Sequence, residues 1–141
     1  MTGLWKTWIT IWCWAVILFG VLLAGAAFPA TDWGVRFLYG LLSSAPLPGD
    51  FLAAPGIRFS IALMGAVSIG WGCTVLFLLP VIHTAGAPAW RGLTAALAVW
   101  FVIDGILSAS TGFALNNLPN LAFMTGYAIP LLASGALKSA A

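Results

Sequence analysis

The residue type most out of place in this sequence is a carboxylate, Asp104, which follows Trp100-Phe101-Val102-Ile103 in a long apolar stretch. A charged group at the centre of a membrane helix costs about 2.5–3.5 kcal/mol on insertion scales, so it must be protonated, paired or turned toward water. Ser108 and Thr111 follow at i+4 and i+7, and helical geometry puts all three on one face as a polar stripe. Three chemistries fit that stripe. Arg58 is the one nearby cation expected on the same side, and its long stem lets the guanidinium reach down to a buried acid. An Arg58–Asp104 pair that fixes helix register is the expectation. A protonated Asp104 bonded to Ser108 or to backbone is the first alternative. A proton or ion relay is the second, and it lacks the further acid, Lys or His that a pathway needs.

His83 is the only histidine. One imidazole suffices as an axial ligand to haem iron or chlorophyll magnesium, so His83 is the candidate cofactor residue. The plainer reading is a hydrogen-bonded residue near a helix end. No second His and no His/carboxylate cluster with metal-ligand spacing occurs, so no metal site is expected. Cys13 and Cys73 lie in separate apolar runs without Cys-x-x-Cys spacing and read as small buried hydrophobes. No serine has a His and an acid arrayed for nucleophilic attack, and no Gly-rich phosphate loop is present. Catalysis is not expected. No cofactor is predicted, with a lipid, quinone or chlorophyll-type pigment held between helices as the alternative.

The elements that must position these residues follow from where the charges fall. Of 141 residues, 62% are hydrophobic and 6% charged, against about a quarter charged in a soluble domain. Eight charged side chains cannot cover a soluble globule of this size. Soluble enzymes, nucleic-acid binders and disordered linkers are excluded, and an integral membrane protein remains. The charges Lys6, Asp32, Arg36, Asp50, Arg58, Arg91, Asp104 and Lys138 bound three long uncharged runs. About 20 apolar residues cross a hydrocarbon core, and every backbone amide within it must be paired. The runs therefore predict an all-α membrane protein, a single domain over 1–141, with four transmembrane helices near 7–28, 58–82, 92–112 and 118–137. The first run imitates a signal peptide, with Lys6 before it, an apolar core over Ile11–Ala24 and Ala24-Gly25-Ala26 at the end of that core. Its length and the tryptophans Trp5, Trp8, Trp12 and Trp14 argue for a retained helix.

Between spans one and two, 33–44 is too short to cross and carries Trp33, Phe37 and Leu41 at helical spacing, which predicts a helix lying along the interface. The alternative is an ordered loop across the helix ends. Residues 83–91 and 112–117 are expected to be short loops, with Asn117 capping the last helix. Trp5, Trp8, Trp33 and Trp90 near the span ends suit aromatic belts. Lys6, Arg91 and Lys138 on one side outnumber Arg36 and Arg58 on the other, which places both termini in the cytoplasm. Lipid gives no hydrophobic drive between helices, so close packing needs small residues. Ala62, Ala66 and Gly70, at i+4 intervals, are the expected helix-contact stripe.

The run Trp100-Phe101-Val102-Ile103-Asp104, then Gly112, Asn116, Asn120 and Pro130, with Arg58 and Gly65/Gly70/Gly72 before it, resembles a group of small bacterial four-span membrane proteins. In size and span count the chain is also similar to DoxX-like proteins. The resemblance implies a compact four-helix protein of the bacterial inner membrane and transfers no catalytic residue. The functional expectation is a non-catalytic accessory subunit that partners other membrane subunits, in a respiratory or photosynthetic complex, with no nucleic-acid partner. A small proton-coupled transporter or channel using Asp104 is the runner-up.

Overall fold

The computed structural model describes residues 1–138. Among them there are five α-helices and no strand: α1 (Gly3–Ala24), α2 (Trp33–Leu42), α3 (Pro55–Ala85), α4 (Ala87–Ser110) and α5 (Asn117–Ser134). Short 3-10 turns at Gly25–Ala27 and Ala114–Asn116 extend the end of α1 and lead into α5. Three stretches, Gly3–Ala27, Pro55–Ala85 and Ala87–Ser110, are long and apolar enough to cross a membrane, which fits a membrane protein. The fourth long helix, α5, opens on Asn117, Pro119 and Asn120, and these dilute its apolar character.

Helix limits shift by a few residues at several ends, as in α1, Gly3–Ala24 against 7–28, and differ most at one connection. α3 runs through Pro80 to Ala85 instead of ending near 82, and the expected loop at 83–91 shrinks to Gly86. That residue has a φ of 69°, a left-handed conformation open to glycine, and it reverses the chain in one step. Pro88 then falls in the first turn of α4, where a missing N–H costs nothing.

α3 packs most closely on α1, α5 bridges α1 and α4, and α3 and α4 touch only lightly. The α1–α3 contact is set by glycines, but not by the expected ones. A Cβ built on Gly20 would lie 2.8 Å from the Gly65 carbonyl oxygen, and one on Gly72 2.7 Å from Ile17 Cγ1. Gly65 meets the Ala24 backbone so closely that no side chain fits. The stripe Ala62, Ala66 and Gly70 lies on another face: Ala66 is exposed, and a Cβ on Gly70 would meet nothing within 4 Å. Small residues occupy several faces of α3, and spacing alone did not say which one meets α1.

α1 joins α5 through two indoles. Trp8 Nε1 donates to the Gly126 carbonyl at 2.8 Å, and Trp12 Nε1 to the Phe123 carbonyl at 2.8 Å. Pro130, inside α5, has no N–H to offer Gly126 four residues back, so Trp8 satisfies a carbonyl that the helix cannot. Trp90 belongs to the core rather than to an interfacial belt: it is 2% exposed and packs in one cluster with Trp12, Leu97 and Tyr127. A second cluster at the far end joins Leu23 and Ala26 to Val35, Leu52 and Ile61, tying α2 and the long connection to the helices. There α2 leaves Trp33, Phe37 and Leu41 exposed along one side.

Candidate functional site

Asp104 lies on α4 six residues before its last residue, roughly 9 Å from that helix end at 1.5 Å per residue. It is half-buried. Its carboxylate accepts from Asn116 Nδ2 at 3.1 Å and from Asn120 Nδ2, both on the same oxygen, Oδ2. Asn116 Nδ2 also reaches Ser108 Oγ at 3.0 Å. The positive φ of Gly112 (84°) and the 3-10 turn at 114–116 fold the chain back so that α5 brings its asparagines against α4. Two of the three expected stripe members, Asp104 and Ser108, thus enter one cluster. Thr111 does not: its hydroxyl donates to the Leu107 and Ser108 carbonyls. Asn117 makes no cap either, because its Nδ2 donates to the Ala114 carbonyl at 3.1 Å and, more weakly, to that of Gly105. The expected 112–117 loop contains Asn116 and Asn117, and nothing in it pairs Asn116 or Asn120 with Asp104. The available signal was the i+4 spacing of Asn116 and Asn120 after a lone acid in an apolar helix.

The expected Arg58–Asp104 pair does not form. Arg58 Nη2 pairs with Asp32 Oδ2 at 2.8 Å, and its Nη1 donates to the Ala26 carbonyl at 3.0 Å. Asp32 also takes Arg36 through Nε at 2.9 Å, and Arg36 reaches Asp50 at 3.0 Å. The connection between α1 and α2 carries a nearer carboxylate to Arg58 than any on α4, so the guanidinium has no reason to enter the helices. Asp32 is only 4% exposed. Hydrogen bonds from Arg36, and then from Arg58, hold its carboxyl below the ordinary carboxylate range against the desolvation that opposes ionisation.

His83 lies near the other end. Its Nδ1 is 2.6 Å from the Leu79 carbonyl, which assigns the proton to Nδ1 and leaves Nε2 as a bare acceptor. Nε2 is buried without a partner, and the ring meets Trp90 edge to face at 5.3 Å. That tautomer is the one an axial ligand uses, but the lone pair is closed off by protein. A metal would have to displace packed side chains to reach it. Among the described residues no group of three His, Cys, Asp or Glu could hold a metal ion.

The weak contact between α3 and α4 leaves a cleft of about 330 Å³. Trp12 and Phe19 of α1 and Asn120 and Phe123 of α5 contribute to its lining, together with Trp71 of α3 and Trp100 of α4. Val67, Ala96 and Trp100, which also line it, are exposed, so it opens outward between α3 and α4. Asn120 therefore belongs at once to the Asp104 cluster and to the cleft. No family model, curated protein or solved structure matches this chain.

Proposed function

We propose that the chain is a four-span protein of the bacterial inner membrane, serving as a non-catalytic accessory subunit of a larger membrane assembly, respiratory or photosynthetic. α1, α3, α4 and α5 are its crossings, α2 lies along the interface, and both termini face the cytoplasm. The observation that carries this reading is the use made of Asp104. The only acid within the long helices is spent on two asparagine amides that join α4 to α5, which is the work of a structural clasp. A relay would want a second titrating group in reach, and Asp104's hydrogen-bond partners are Asn116 and Asn120.

Three further features support it. The 18 residues of α5 span roughly 27 Å, and the 3-10 turn before it adds length, so it reaches across a core of about 30 Å. Arg91 Nε donates to the Leu137 carbonyl at 3.0 Å, so the start of α4 and the end of α5 lie at one end, as four antiparallel crossings require. α4 exposes Val99, Val102, Ile103 and Ile106 at i, i+3, i+4 and i+7, an apolar stripe suited to lipid or to another helix. Purification from its own membranes in mild detergent tests the proposal. Co-elution with other membrane subunits is expected. A chain that elutes alone as a homo-oligomer would contradict the accessory role and favour a small transporter.

A further inference from the structure

We infer that the cleft between α3 and α4 holds one lipid-soluble molecule whose head is a hydroxylated aromatic ring, a phenol or quinol, with Asn120 accepting its hydroxyl hydrogen. Size is the first argument. About 330 Å³ is at the small end of ligand pockets, enough for one ring and the start of a tail and too little for a pigment macrocycle. The walls are the second. Trp12, Trp71, Trp100 and Phe123 offer aromatic faces and edges, which a planar head uses better than an acyl chain does.

The polar chemistry is the third and strongest argument. Asn120 is more than nine-tenths buried, and its Nδ2 is committed to Asp104. A carboxylate can only accept, so it fixes the amide with its NH₂ toward Asp104 and its carbonyl oxygen turned away. That oxygen takes no hydrogen bond from the described residues, yet it is not among the fully enclosed polar atoms without a partner. Ser68, also in the lining, gives its hydrogen to the Met64 carbonyl at 2.9 Å, which leaves its oxygen as a second acceptor. Acceptors left bare in an apolar cleft are costly, and a ligand hydroxyl satisfies them. The mouth lies between two long apolar helices, so the ligand enters from lipid. The inference rests on the reading that α3 and α4 cross the membrane. It is independent of the accessory role, whose failure would appear in co-purification and not in ligand binding.

The full chain in phosphatidylcholine nanodiscs is titrated with 4-nonylphenol and with its methyl ether, 4-nonylanisole, in which a methyl replaces the hydroxyl hydrogen, and tryptophan fluorescence is followed. A saturable response is expected, about tenfold tighter for the phenol, the ratio that about 1.4 kcal/mol gives. Ala96→Phe, an exposed position on α4 outside the Asp104 hydrogen bonds, fills the cleft and should abolish saturation while helicity by circular dichroism stays unchanged. Asn120→Leu should bring the two probes to equal affinity. Should Asn120→Leu not fold, the probe ratio in the parent and the Ala96→Phe control still decide. Equal affinity for both probes in the parent overturns the inference. So does a response that survives Ala96→Phe, or no saturable response because phospholipid chains already fill the cleft.

Discussion

Asp104 illustrates how an acid in an apolar helix is held. The sequence exposes it at once, because a carboxylate in a run of aromatic and branched residues has few tolerable fates. It does not reveal the partner. Arg58 is the obvious counter-charge by type, but the path of the 28–54 connection decides its location, and that path brings Asp32 to it first. Asn116 and Asn120 lie 12 and 16 residues beyond Asp104, so only the turn at Gly112 makes them neighbours. Hydrogen bonds to a charged group are worth about 1.5–3 kcal/mol each, and a buried charge that loses them suffers most. The double variant Asn116→Ala/Asn120→Ala should therefore lose about 3 kcal/mol or more, whereas Asp104→Asn, which keeps an acceptor and introduces no stranded charge, should lose about 1–2 kcal/mol. Unfolding in detergent measures both, and a double variant as stable as the parent would remove the clasp from the account. Asp32 gives a pH dependence. Its pKa in the folded chain lies below the unfolded value of about 3.9, so ionised Asp32 stabilises the fold above that pH. The contribution fades as pH falls through the lower, folded value. Melting temperature against pH should drop below about pH 4 in the parent. In Asp32→Asn that component should be absent, with lower stability near neutrality.

At the scale of helices, charge gaps located the long helices to within a few residues, and three of them are long and apolar enough to cross a membrane. Which face meets which neighbour was less legible. Ala62, Ala66 and Gly70 form as smooth a stripe as Gly65 and Gly72 do, and only the approach of α1 through Gly20 distinguishes them. Gly65→Ala should cost about 1–3 kcal/mol, since its methyl meets the backbone of α1, which cannot move aside as a side chain can. Gly70→Ala should be neutral or stabilising by up to about 1 kcal/mol, from helix propensity alone. Reversal of that order in thermal melts would place the seam back on the expected stripe. The α1–α5 joint offers a sharper test. Trp8→Phe removes the donor to Gly126 and should cost about 1 kcal/mol. In a Pro130→Ala background the helix regains its own N–H for that carbonyl, so the same substitution should cost markedly less. Equal costs in the double-mutant cycle would mean that Trp8 acts by packing and not by answering the proline.

For the whole molecule, the proposed four antiparallel crossings would leave one end to Lys6, Arg91 and Lys138 and the other to the Asp32–Arg36–Arg58 network. α5 is the crossing on which the claim depends, since its asparagine-rich start makes it the least apolar of the long helices. It is also the helix the clasp holds. Cysteine accessibility in intact cells tests it most directly. With Cys13 and Cys73 replaced, single cysteines are placed at Pro48 in the long connection, Thr84 beside the Gly86 turn, Ala114 before α5 and Lys138 after it, all exposed. A membrane-impermeant maleimide should label the Pro48 and Ala114 positions from outside, and reach those at Thr84 and Lys138 only after the membrane is opened. Labelling of Lys138→Cys from the same side as Ala114→Cys would show that α5 does not cross, and the four-span account would be wrong.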